Sequence, residues 1–170
     1  VDGGGLRGFG GGIPLSHRKE EKRSSFSKRT YVERMRKETV NMLGDRIQHA
    51  DWKKEKHVPV IECPDKVKGD ELFEVKVSLG KEIAHPNTTE HHIRWITLYF
   101  HPEGEKFTYD VAHFEFNAHG EAVSGPNEGP VHTHHQGSTS MKITKPGTLY
   151  ALALCNIHGL WESTKEIGLL

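Results

Sequence analysis

The chain has 170 residues, enough for one compact domain with a core and little room for a second. Lys plus Arg and Asp plus Glu total 23 each, so the formal charge is zero and no basic excess points to nucleic acid. No apolar run approaches the ~18 residues of a membrane-spanning helix; the longest, Leu149 to Cys155, is broken by Tyr150 and has strand length.

Residues 1–28 combine Gly3-Gly4-Gly5 and Gly10-Gly11-Gly12 with a charged run from His17 to Arg23. Such a segment buries too little apolar area to fold alone and reads as an arm that packs on another subunit. Val1 as a processed terminus implies export to the periplasm, and otherwise the expected location is cytoplasmic. Thr30-Tyr31-Val32-Glu33 fits a capping box, and Tyr31, Met35, Val40, Leu43 and Ile47 then share roughly one face. This predicts a short helix of about three turns ending at Gly44. Arm and helix are assigned to residues 1–50, and residues 51–170 to a β domain.

From Val58 onward, short β-rich runs alternate with Pro, Gly and Asn turns. Leu72 to Leu79 places Phe73, Val75, Val77 and Leu79 on one side and Glu74, Lys76 and Ser78 on the other, the pattern of a half-buried strand. Further strands are predicted at Ile93–Phe100, Phe107–Phe116, Ser140–Ile143 and Thr148–Leu154. Turns are predicted at Pro102-Glu103-Gly104, Asn117–Gly120, Gly125-Pro126-Asn127 and Pro146-Gly147. Strands at this spacing predict an all-β fold, an antiparallel β-sandwich.

Thirteen His are the compositional anomaly, and two Cys are too few for a disulfide framework. Cys63 reads as a bystander thiol and Cys155 as a ligand. His57, His85, His91 and His158 stand beside Pro59, Pro86 and Gly159, where loops at one end of a sandwich can converge on an ion. Cys155 and His158 lie three apart at a strand exit, close enough for a sharp turn to offer both to one atom. One thiolate with four imidazoles selects a late first-row transition metal and leaves its oxidation state free to change, so the residues predict a redox metal centre.

Other functions compete. A cupredoxin-type electron-transfer protein needs two His, one Cys and usually a Met soon after, and no Met follows Cys155. A cupin-like site on His132 and His134 would leave Cys155 unused, and no Glu follows at the required spacing. A structural or assembly subunit, with the arm driving polymerisation and the metal site secondary, is the third. The run His132-Thr133-His134-His135 is expected at the surface or behind the ligands, and Trp161 as packing around the site.

Glu55-Lys56-His57-Val58-Pro59, the His85 and His91 pair, and Cys155-Asn156-Ile157-His158-Gly159-Leu160-Trp161-Glu162 together resemble the signatures of superoxide reductases, the neelaredoxin and desulfoferrodoxin family. The resemblance runs from about Glu55 to Glu166. It implies an immunoglobulin-like β-sandwich with one mononuclear non-haem iron, Fe(2+)/Fe(3+), per chain. His57, His85, His91 and His158 would be equatorial ligands and Cys155 the axial thiolate. Glu55 would take the sixth position when iron is ferric, and Lys56 would lie over the open face. The implied activity is one-electron reduction of superoxide to hydrogen peroxide, with a rubredoxin-like electron donor and a homo-oligomer, a tetramer being favoured. The four-Cys centre of the family's longer members is not expected, because no Cys precedes Cys63. The resemblance does not account for the arm or the helix. On physical grounds, the Lys56 ammonium beside an anion-binding site is expected to raise the on-rate of a small anion in a salt-dependent way.

Overall fold

A computed structural model of the chain describes residues 42–170. The Gly-rich arm and the predicted helix up to residue 41 lie outside the described residues. Where the description begins, Leu43–Arg46 is a single 3-10 turn, closed by the Asp45 amide on the Met42 carbonyl at 3.0 Å. Among the described residues no helix is long and apolar enough to cross a membrane.

Residues 42–170 form a two-layer β-sandwich. In chain order the strands are β1 (Val60–Glu62), β2 (Lys66–Val67), β3 (Phe73–Ser78), β4 (Ile93–Pro102), β5 (Tyr109–Glu115), β6 (Gln136–Met141), β7 (Gly147–Cys155) and β8 (Gly159–Leu169). One sheet has the order β1-β3-β6 and the other β2-β8-β7-β4-β5. The pairings are antiparallel with one exception: β2 runs parallel to β8, Lys66 opposite Gly168 and Val67 opposite Leu169. The expected antiparallel β-sandwich is observed, and this two-residue edge makes one of its sheets mixed. The chain reaches this edge through Cys63-Pro64-Asp65, and Pro64 has no N–H with which to extend the ladder of β1.

Period-2 alternation builds the interior between the sheets. Val75, Val77 and Leu79 point inward from β3 and its exit, as the sequence pattern requires, and meet Leu149, Ala151 and Ala153 of β7 and Ile96 and Leu98 of β4. Each fully buried Leu, Ile or Val contributes roughly 1.5–3 kcal/mol. Cys155 is the next inward position of β7, so the alternation that makes the core also delivers its sulfur to the end of the core, 1% exposed.

On β4 the register to β7 shifts between Ile93 and Trp95, leaving Arg94 as an extra, exposed residue. A bulge inverts strand parity. Ile93 therefore turns inward with Ile96 and Leu98, opposite Cys155, although strict alternation would put it on the other face.

One strand prediction needs correction, and one long strand lies outside the predictions. The predicted Ser140–Ile143 overlaps only the end of β6, whose body is the Ser/Thr/Gly stretch Gln136–Met141 entered directly from the His132–His135 run. β8, the longest strand, was not predicted, because Glu162, Lys165 and Glu166 break its apolar pattern and much of its length is only partly buried. The segment before β1 also joins this strand: the Gln48 amide donates to the Leu160 carbonyl and the Glu162 amide to the Gln48 carbonyl, each at 2.9 Å.

Candidate metal centre

Three pieces of chain meet at one end of the sandwich. His57 closes the turns that follow Asp51, His85 and His91 lie on the connection from β3 to β4, and Cys155 ends β7. One ligand atom from each of these four residues lies within 4.8 Å of the other three. His57, His85 and Cys155 are 5%, 5% and 1% exposed, so the cluster is withdrawn from water.

The β7–β8 hairpin brings in the fourth imidazole. Cys155 pairs with Gly159, and the Asn156-Ile157-His158 turn closes with Gly159 at φ 74°, where a side chain would strain the backbone. The tight turn sets His158 Nδ1 3.4 Å from Cys155 Sγ. The His158 ring centroid is 4.4 Å from that of His57 and 4.8 Å from that of His91, and the residue is exposed. His158 thus forms the wet edge of an otherwise buried group, and Nδ1 is the ring nitrogen that lies against the Cys155 sulfur.

The other rings are held from behind. His57 Nδ1 meets Glu55 Oε1 at 2.6 Å, and His85 Nδ1 meets the Pro86 carbonyl at 2.7 Å. Carboxylate and carbonyl oxygens accept, so Nδ1 donates in both cases and Nε2 carries the lone pair. The Nε2 atoms of His57, His85 and His91 are buried without a hydrogen-bond partner. Leaving a buried polar atom unsatisfied costs about 1–3 kcal/mol, and three such imidazole nitrogens beside a thiol are what a transition-metal ion would satisfy. The donor set therefore fits a metal by its own chemistry.

Electrostatics agree. Burial pushes the His85 imidazole down to about 3, helped by His57, His91 and His135 nearby. His57 is lowered by burial against the opposing pull of Glu55, and His91 by burial and by its neighbours His158 and Lys56. All three rings are held neutral near pH 7, the form that binds metal.

Glu55 stands on the outer nitrogen of His57, which is where the structure places it rather than among the clustered donor atoms. Lys56 is half-buried, and its charge acts on Glu55, His57 and His91. Trp161 stacks on His57 at 5.2 Å and donates its Nε1 proton to the His158 carbonyl at 3.1 Å. His132 and His134 are exposed, whereas His135 is buried with its ring 5.7 Å from that of His85. Gly80, at φ 74°, is required beside them: a Cβ there would lie 2.8 Å from the His85 amide nitrogen.

One residue of the site was not singled out from sequence. Asn156 accepts from the His92 amide at 2.8 Å, donates from Nδ2 to the Glu90 carbonyl at 2.8 Å, and donates its own amide to the His92 carbonyl at 3.1 Å. It ties the hairpin bearing Cys155 to the loop bearing His91. Its place between the ligands Cys155 and His158 was the available signal.

A β-sandwich with a compact, mostly buried group of His nitrogens and one Cys sulfur at the end of its core defines a mononuclear His/Cys metal protein. Comparison with known proteins narrows this. The profile of the family described as Desulfoferrodoxin matches residues 49–164. Neelaredoxin of Megalodesulfovibrio gigas is 65% identical over 127 residues, covering 75% of this chain and 98% of that protein. Superoxide reductase of Pyrococcus furiosus is 57% identical over 122 residues, 72% of this chain and 96% of that protein. The solved structure of superoxide reductase (neelaredoxin) from Archaeoglobus fulgidus in the reduced form is similar with a TM-score of 0.68 at 55% identity, covering 72% and 98% of the two chains. The chain belongs to the desulfoferrodoxin family.

Proposed function

We propose that this chain is a superoxide reductase, reducing superoxide by one electron and two protons to hydrogen peroxide at an iron ion held by His57, His85, His91, His158 and Cys155. The observation that carries the reading is the set of three buried, unpartnered Nε2 atoms aimed with the Cys155 sulfur into one space. Bound iron supplies the single electron and an open coordination position.

The side chains do the rest. Burial and the Glu55 and Pro86 contacts fix the tautomer and tilt of His57 and His85, so the lone pairs are aimed before any ion arrives. The Lys56 ammonium draws a small anion to the site and orders water that can deliver protons. Exposure of His158 and of Ile157, 57% exposed, keeps this edge open to solvent protons. Glu55 serves as brace of His57, and as the nearest carboxylate to the ligand cluster it would be the residue to supply an oxygen donor to an oxidised iron. A rubredoxin-like one-electron donor restores the ferrous state, and the working form is a homo-oligomer, a tetramer.

The test is the visible spectrum of the purified protein before and after oxidant, with metal content measured on the same sample. One iron per chain and a broad thiolate-to-ferric band that bleaches on reduction, together with consumption of superoxide, are expected. Copper with an intense band would instead assign electron transfer, and no metal with no band would assign a structural role.

A further inference from the structure

Between β5 and β6 the chain makes a long excursion over residues 116–135 without a strand of its own. Loops of this length inside a compact fold are uncommon and usually functional. This one is tightly closed. The Thr133 amide donates to the Ala118 carbonyl at 2.7 Å and the Gly129 amide to the Gly120 carbonyl at 2.9 Å, and a Cβ on Gly129 would lie 2.2 Å from the Glu121 carbonyl oxygen.

The side-chain bonds that leave the excursion go to the loop carrying His85 and His91. Asn87 Nδ2 donates to the Thr133 carbonyl at 2.9 Å, and His119 Nδ1 meets Asn87 Oδ1 at 2.7 Å. At its tip, Asn127 accepts from the Thr89 amide at 2.7 Å and donates from Nδ2 to Glu90 Oε2 at 2.8 Å. Asn127 does so from φ 66°, a left-handed conformation unusual for a residue with a side chain and best tolerated by Asn. Thr89 and Glu90 directly precede His91.

We propose that Asn127 is a positioning residue for the metal centre: both ends of its amide brace Thr89-Glu90, and this holds His91 in place. Asn156 grips the Glu90 and His92 backbone from the β7–β8 hairpin, so the chain neighbours of His91 are held by two asparagines on separate elements. Asn127 touches neither a ligand atom nor the metal space, and it acts through the loop. This rests on the metal-site reading.

Asn127→Gly separates the brace from backbone strain, because Gly keeps the left-handed turn and removes both bonds. Its ferrous form should lose iron to a chelator about tenfold faster than the unsubstituted chain, the lower end of what outer contacts to a metal ligand control. In the metal-free protein the Thr89 amide should exchange its hydrogen faster while amides of β4 and β7 do not. Asn127→Ala should show the same with added strain, and Glu90→Gln, which still offers an oxygen to Nδ2, should hold iron nearly as the parent does. Unchanged iron loss in Asn127→Gly overturns the proposal, whether or not Thr89 exchange rises. A parent chain that takes up no ferrous iron overturns the metal site and this role together, whereas iron held equally by parent and Asn127→Gly overturns this role alone.

Discussion

The middle of the sandwich and the end that carries the histidines are built by opposite rules. In the middle, Val75, Val77, Ile96, Leu98, Leu149 and Ala151 satisfy one another completely, because apolar groups need only contact. At the end, His57 and His85 are nearly as well packed and His91 is partly buried, yet each leaves its Nε2 atom buried and unpaired. The difference teaches where an ion enters the energetics. Strands and core define the fold without metal, and a metal would compensate the unpaired imidazole nitrogens on the loops that the fold has gathered.

The most severe way to break this contrast is Cys155→Ser, expected to abolish the thiolate band and most reductase activity while the metal-free chain stays folded. Retention of both would remove Cys155 from the ligand set. Leu98→Ala should do the reverse, destabilising metal-free and metal-loaded protein alike by about 2–5 kcal/mol in chemical denaturation, with the band kept. If the loss appeared only in the loaded form, core and site would not be separable in the way described.

Acid sharpens the comparison. Burial pushes the His135 imidazole down to about 4 from 6.5, with His134 adding to the shift. The unfolded chain therefore takes up this proton first as pH falls, and the stability held by the neutral ring, complete above pH 6.5, is lost progressively down to about pH 4. At 1.36 kcal/mol per pKa unit this amounts to about 3 kcal/mol for the metal-free chain. His85, held down to about 3, acts in the same direction. His135→Gln should flatten the part between pH 6.5 and 4, and an unaltered slope in urea titrations across that range would remove His135 as its source. Lys56→Ala reads the open edge instead: iron should stay bound while the superoxide rate falls by about tenfold at low salt and loses its ionic-strength dependence. An unchanged second-order rate would end the steering role.

Sequence alone carried much of this molecule, unevenly and for physical reasons. Strict alternation in Phe73–Ser78 and in the run into Cys155 made β3 and β7 readable, since one face of each is buried by the other sheet. β8 was hidden because half-buried charged residues blur the period, and the parallel β2 because two residues carry no period. His57, His85, His91, Cys155 and His158 were legible as metal-ligating types near turns. The bonds of Glu55, Asn156 and Asn127 were not, because they join residues tens of positions apart, or fold back on a near neighbour, at distances that only the assembled loops determine.

The smallest expected effect compares two glycines of the site with the same backbone angle. Gly159 and Gly80 both stand at φ 74°. Around Gly159 no atom lies within 4 Å of an added Cβ, so Gly159→Ala meets only the strain of the left-handed turn, about 1 kcal/mol. Around Gly80 the added carbon would meet the His85 amide nitrogen at 2.8 Å and His135 Nε2 at 3.3 Å, so the backbone under His85 must move. Gly80→Ala should therefore loosen iron and shift the thiolate band, while Gly159→Ala lowers stability slightly and leaves the band in place, although Gly159 adjoins a ligand and Gly80 does not. Equal spectra for both variants would mean that the loop yields freely under His85, and the distinction between a rigid, pre-aimed donor set and one assembled by the ion would fall with it.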